Sequence, residues 1–165
     1  MAVSMRLYLA PDSDLYAFTG APRTLQKWLR SRRSITDMWL HGYWRHIDAL
    51  LVSEVKAYPR FSPLVPQGGD FVYPTAADHG AHGLSSTSTE RMARSLELVT
   101  PAHVESYVRH WSLVHAPLPE MTGGPIELEP PPVGDDILVY LGCLQEACAF
   151  AFDRKYGLVL ALWEL

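Results

Sequence analysis

Residues 3–9 of the chain read Val-Ser-Met-Arg-Leu-Tyr-Leu, and residues 158–163 read Leu-Val-Leu-Ala-Leu-Trp. Every second residue of the first stretch is Val, Met or Leu, which is the period of a strand with one buried face. The second stretch is apolar throughout, which predicts a buried strand. We expect these two strands, at opposite ends of the chain, to pair in one small sheet.

Most of the chain between these strands has apolar residues three and four positions apart, which is the spacing of an amphipathic helix. The pattern predicts a short helix over residues 11–18 and further helices over 22–32, 35–55, 86–99, the stretch that begins at Thr100-Pro101, and 135–156. Strands and helices do not alternate along the chain, which disfavours a doubly wound parallel sheet. The sequence therefore predicts an α+β fold, in which about five helices pack with a small sheet that includes the N- and C-terminal strands.

Two segments are too rich in proline and glycine to form helices. Residues 58–83 contain eight such residues, and residues 115–134 contain nine. Both segments are predicted to be long loops, although a short strand could form at 70–73. Ordered loops of this length are uncommon and often functional. We expect residues 1–165 to form a single globular domain that carries these two loops.

The composition excludes several classes of protein. The chain has 165 residues, of which 48% are apolar and 19% charged, and this balance excludes intrinsic disorder. No apolar run approaches the ~18 residues of a membrane span, and the N-terminus has no apolar signal region, so we expect a cytoplasmic protein with no membrane partner. Two cysteines are too few for a disulfide scaffold. The net charge of −4 disfavours nucleic acid as a partner.

Three stretches resemble a known family. Trp44-Arg-His-Ile-Asp-Ala-Leu-Leu51 is similar to the family's Trp-led helix that ends in paired leucines. Residues 84–100 are similar to its two successive capped helices, and the C-terminal helix followed by residues 155–162 is similar to its closing helix, glycine and strand. On these patterns the chain resembles the YfbM-like proteins, a bacterial family of uncharacterised function. The resemblance implies a fold and a bacterial protein, and it implies no established activity.

One cluster of histidines has the residue types of an acid–base or metal site. Asp78, His79 and His82 lie together in the first predicted loop, and His41 or His46 from the helix before it could join them across a cleft. A complete zinc site needs a third or fourth ligand, and none is present at motif spacing, so we predict no metal and no cofactor. The alternative interpretation is a surface loop whose histidines form hydrogen bonds with the backbone.

Aromatic side chains are concentrated on the helix that contains His41 and His46. Trp39, Tyr43 and Trp44 crowd this helix, and core packing is the first interpretation. However, Trp39 and Trp44 point about 140° apart at 100° per residue, so one face of the helix cannot bury both. An exposed ring beside the first loop would suit a partner surface or the lid of a pocket.

The charges are distributed unevenly along the chain. Residues 21–36 carry five bases and no acid, whereas residues 112–136 carry five acids and no base. Solvated faces, or attraction between the two segments, explain this pattern most simply. The basic segment, which includes Trp28, could also contact RNA or phosphate, and a protein partner is a further alternative.

The chain has no Gly-x-Ser-x-Gly nucleophile motif and no glycine-rich phosphate loop. The leading hypothesis is therefore a non-enzymatic protein–protein interaction module, inhibitor-like or immunity-like, which binds another protein through Trp39, His41, Tyr43, Trp44 and His46 and one of the loops. The alternative is a small-molecule-binding protein or enzyme whose pocket uses His41 or His46 with Asp78, His79 and His82. The oligomeric state stays open.

Overall fold

A computed structural model describes residues 3–38, 43–73, 80–114 and 132–164. Its centre is a five-stranded sheet in the order β2-β1-β5-β4-β3, and every neighbouring pair is antiparallel. The strands are β1 (Val3–Ala10), β2 (Thr36–Met38), β3 (Phe71–Tyr73), β4 (Ala81–Leu84) and β5 (Gly157–Glu164). β1 pairs with β5 along its whole length, with Met5 opposite Leu162. The predicted pairing of the two terminal strands is confirmed.

Six α-helices lie in the described ranges, and together with the sheet they confirm the α+β class. They are α1 (Asp12–Phe18), α2 (Pro22–Ser31), α3 (Tyr43–Ser53), α4 (Ser86–Glu97), α5 (Pro101–Val114) and α6 (Gly134–Asp153). This is one helix more than the approximate number expected. The described helices include none that is long and apolar enough to cross a membrane.

Two predictions of local structure were wrong. The helix expected over 35–55 is helical only from Tyr43, and residues 36–38 form β2 instead. The backbone N–H of Ile35 donates to the carbonyl of Leu7 at 2.7 Å, and β2 then pairs with β1. The short strand allowed at 70–73 is confirmed as β3, but the first part of β4 also lies within residues 58–83, and β4 pairs on both sides. The pairings of β2 with β1 and of β4 with β5 join residues that are distant in sequence, so local periodicity does not reveal them.

The second predicted loop lies almost wholly outside the described residues, which resume at 132. Gly134, expected at the end of this loop, is the first residue of α6.

The sheet separates two hydrophobic clusters. On one face Met5 and Leu7 of β1 pack with buried residues of α3, α4, α5 and α6. On the other face Tyr8 and Ala10 pack with buried residues of α1 and α2. β5 contributes to both clusters, which explains why its sequence is apolar at successive positions. Arg6 lies on the α1–α2 face, since side chains alternate along a strand.

Candidate functional site

The aromatic side chains of α3 that the structure describes are engaged in packing. Trp44 is 8% exposed and belongs to the larger hydrophobic cluster. The Tyr43 hydroxyl donates to Asp136 Oδ2 at 3.2 Å and accepts the backbone N–H of Val133 at 3.1 Å. Desolvation is the main cause that raises the pKa of Tyr43. The contacts of Tyr43 join α3 to the start of α6. The burial of Trp44 leaves its ring little surface for a partner.

His46 lies in a nest of aromatic rings. It is 6% exposed, and its Nδ1 lies 2.9 Å from the hydroxyl of Tyr107 in α5. The rings of Tyr43, Tyr107 and Trp111 have their centroids 5.4 to 6.1 Å from that of the imidazole. His46 therefore couples α3 to α5 in the interior.

His82 lies in a strand and is buried. Its side chain is 1% exposed, and Nε2 lies 2.8 Å from the carbonyl oxygen of Pro63. Because a carbonyl only accepts, Nε2 must carry the proton. Burial lowers the pKa of His82 to about 4, so the ring is neutral at physiological pH. The hydrogen bond to the backbone matches the alternative interpretation of this histidine, although the residue is not at the surface.

The remaining residues of the predicted sites, Trp39, His41, Asp78 and His79, lie outside the described residues. The contacts of His46 and His82 place these two rings among different neighbours. A pocket that uses His41 or His46 with Asp78, His79 and His82 stays a prediction, and so does a partner surface that includes Trp39. Within the described part of the chain, no three His, Cys, Asp or Glu side chains form a group that could hold a metal ion.

Three serines, Ser85, Ser86 and Ser88, form hydrogen bonds at the N-terminus of α4. The Ser85 hydroxyl accepts the backbone N–H of Ser88. The backbone N–H and hydroxyl of Ser86 donate to the carboxylate of Asp12 at 2.7 and 2.6 Å. The Asp70 carboxylate accepts the backbone N–H of Ser85 and the hydroxyl of Ser88. Since two carboxylates already occupy this helix end, it is not an open anion site.

The basic segment forms part of a recess on the α1–α2 face of the sheet. The recess has a volume of about 490 Å³. We call it the arginine cleft; it is lined by Arg6, Tyr8, Leu29, Arg30, Arg32, Arg33, Ser34 and Trp163. Four of these eight residues are arginines, whose side chains end in guanidinium groups. The cleft lies where α2 ends and the chain turns along the sheet toward β2.

Two arginines of the cleft lie over tryptophan rings. The guanidinium carbon of Arg32 lies 5.7 Å from the ring centroid of Trp28, and that of Arg6 lies 5.8 Å from the ring of Trp163. Such cation–π contacts orient the planar guanidinium group. In the described ranges, Arg30, Arg32 and Arg33 form no salt bridge. Their side chains are exposed, so they are available to an anionic group from outside.

Two further recesses have a different character. One, of about 400 Å³, lies between α5 and α6, and its lining combines Val104, Val108 and Leu138 with charges of both signs, such as Arg109 and Asp135. The other, of about 260 Å³, adjoins Cys143 and Phe150. The arginine cleft differs from both because its charged residues are all arginines.

The sequence indicated half of the arginine cleft. The run of bases over 21–36 contains Arg30, Arg32 and Arg33, but Arg6 and Trp163 come from the two terminal strands. The alternating pattern of β1 indicates which of its side chains share the face of the cleft. Arg6 falls on the side opposite Met5, and it pairs with Ala161, so Trp163 is its diagonal neighbour on the same face.

Comparison with known proteins gives no relatives, since no protein-family model, no curated protein and no solved structure matches the chain. The resemblance to the YfbM-like proteins therefore stays a prediction. The site must be judged from its own chemistry.

Proposed function

We propose that this protein is a non-enzymatic interaction module that binds an acidic segment of a partner protein in the arginine cleft. The observation that supports this function is the placement of Arg30, Arg32 and Arg33 in one recess without salt bridges in the described ranges. The site differs from the aromatic helix expected from the sequence, because Trp44 and His46 of that helix are packed inside.

The lining of the cleft has the composition of a binding hot spot. Arginine, tryptophan and tyrosine are the residues enriched where truncation most weakens protein complexes, and the cleft contains all three types. Guanidinium groups form paired hydrogen bonds with carboxylates. A partner with several acidic side chains would therefore find both charge complementarity and directional donors.

A protein partner is favoured over an extended nucleic acid by the charge of the whole chain. The sequence has 18 acidic and 14 basic residues, so a long polyanion that leaves the cleft would meet a surface of unfavourable net charge. A short acidic segment needs only the local patch. Location in the cytoplasm, bacterial origin and YfbM-like membership accompany this proposal as predictions, and the binding chemistry does not depend on them.

The test is a capture experiment from lysate of the source organism with matched variants. The cleft variant replaces Arg30, Arg32 and Arg33 by Ala. The control variant replaces Arg23 and Lys27 by Ala, because these basic residues lie on the same helix but do not line the cleft. All proteins are first compared by thermal unfolding to establish that they are folded.

We expect wild type and control to retain the same acidic protein, and the cleft variant to bind it roughly 10-fold more weakly or not at all. The complex should also weaken as the salt concentration rises. Retention of the same partner by the cleft variant would contradict the proposal. Recovery of RNA in place of protein would contradict it as well.

A further inference from the structure

We infer that the group recognised in the arginine cleft is a phosphorylated side chain of the partner protein. This inference rests on the proposed function and specifies the chemistry of the acidic group. It follows from the number, the placement and the exposure of the guanidinium groups in the cleft.

The number of guanidinium groups exceeds what one carboxylate can satisfy. Each of Arg30, Arg32 and Arg33 carries five N–H donors and a permanent charge. A carboxylate has one negative charge and two oxygens, and it matches the fork of one arginine. A phosphate monoester carries a charge of about −1.5 to −2 at neutral pH and three acceptor oxygens. It can therefore accept hydrogen bonds from two or three arginines at once.

The placement of the side chains favours a small, compact anion. Arg30, Arg32 and Arg33 line one recess, and Arg32 is held there over the ring of Trp28. The faces of Trp28 and Trp163 near these arginines are covered by cations, so they are not open platforms for stacked bases. Arg6 has a further interaction of its own, and the inference does not require it to be free.

The exposure of the cleft favours a phosphate carried by a protein over a free small molecule. Small-molecule sites usually bury most of their ligand, whereas Arg30, Arg32 and Arg33 are all exposed. β2, which follows the cleft in the chain, is also the last strand of the described sheet on that side. An extended segment could lie beside this edge and add contacts that a free phosphate lacks.

The test is calorimetric titration of the folded protein with three probes. These are a short peptide with one phosphoserine, the same peptide with glutamate at that position, and AMP as a free phosphate monoester. We expect the phosphopeptide to bind about 10-fold more tightly than either of the other two. Its affinity should rise as the pH passes upward through about 6, where the phosphate loses its second proton.

The variants make the test specific to the cleft. Replacement of Arg30 and Arg33 by Ala leaves the Arg32–Trp28 contact in place and should reduce phosphopeptide affinity about 10-fold or more. Replacement of Arg23 and Lys27 should change it much less.

Four results would overturn the inference: equal binding of the glutamate peptide, equal or tighter binding of AMP, no effect of the Arg30 and Arg33 replacements, or failure of the phosphopeptide to bind at all. The first result leaves the proposed function intact, because an acidic partner would still use the cleft. The proposed function itself is contradicted by a protein partner that the variant without the three arginines still retains, or by recovery of RNA in place of protein, so the two failures are distinguishable.

Discussion

The guanidinium of Arg32 lies over the indole ring of Trp28, with its central carbon 5.7 Å from the ring centroid. The same indole ring lies 5.2 Å from the ring of Phe18 and 5.9 Å from that of Tyr8, measured between centroids. Trp28 thus connects the smaller hydrophobic cluster to the arginine cleft. The position of Arg32 is set by packing as well as by charge.

Replacement of Arg32 by Lys should weaken binding of the phosphopeptide about three- to tenfold, although the charge is kept. Lysine lacks the planar fork and stacks less well on the indole. Calorimetric titration of the phosphopeptide measures the loss. The matched control is Arg23→Lys in α2, which does not line the cleft and should bind like wild type. Equal affinity for Arg32→Lys and wild type would mean that the cleft acts through charge alone.

Replacement of Asp12 by Ala should lower the free energy of unfolding by about 1–2 kcal/mol, because Ser86 at the start of α4 loses two hydrogen bonds to a carboxylate. Asp14→Ala is the control, since Asp14 shares the first turn of α1 but does not contact Ser86. Urea unfolding compares the two variants. An equal loss of stability in both would show that the effect comes from the charge near α1 and not from the cap on α4.

The stability of the fold should decrease as the pH falls from about 6.5 to about 4, because His82 resists protonation in the folded chain. In the unfolded chain its pKa is near 6.5, so the unfolded state binds more protons throughout this window. At about pH 4 this difference in pKa lowers the free energy of unfolding by about 3 kcal/mol, and above pH 6.5 the effect disappears.

Urea unfolding at several pH values should therefore show a smaller loss for His82→Gln, whose amide can still donate to the Pro63 carbonyl. An NMR titration should show the His82 ring neutral down to about pH 5. A ring that titrates near pH 6.5 in the folded protein would contradict this account.

Two glycines should respond in opposite ways to replacement by Ala. A Cβ at Gly157 would meet the backbone carbonyl of Leu84 and lie 2.6 Å from Leu15 Cδ1, so Gly157→Ala should destabilise the fold by about 3 kcal/mol. A Cβ at Gly142 in α6 has nothing within 4 Å. Gly142→Ala should stabilise the protein by about 0.5–1 kcal/mol, because alanine favours the helix. Thermal unfolding tests both, and a shift of the same sign for both would contradict the described packing.

The sequence predicted those parts of the fold that local patterns determine. The alternation of β1 and the apolar run of β5 each specify an element. β2 and β4 escaped prediction because each depends on pairing with strands distant in sequence. Ala81 and Gly83 have little strand propensity, and they are held in β4 by hydrogen bonding to neighbours on both sides.

The candidate site was harder to predict than the fold. The concentration of rings and histidines on α3 suggested a surface, but in the structure Trp44 and His46 are interior residues that join helices. The run of arginines was visible in the sequence, but the recess that it lines was not. Arg6 and Trp163 join this recess only through the pairing of β1 with β5. A site formed by residues that are distant in sequence is therefore difficult to predict from one sequence.

The central claim is that the arginine cleft binds an acidic group of a partner, and NMR mapping of the phosphopeptide tests it most directly. The account predicts that the largest shifts fall on the backbone amides of residues 29–34, the Nε–H groups of Arg30, Arg32 and Arg33, and the indole N–H of Trp163. Shifts centred on α3 and α5 would contradict it, and the absence of saturable shifts would contradict the choice of a phosphate as the acidic group.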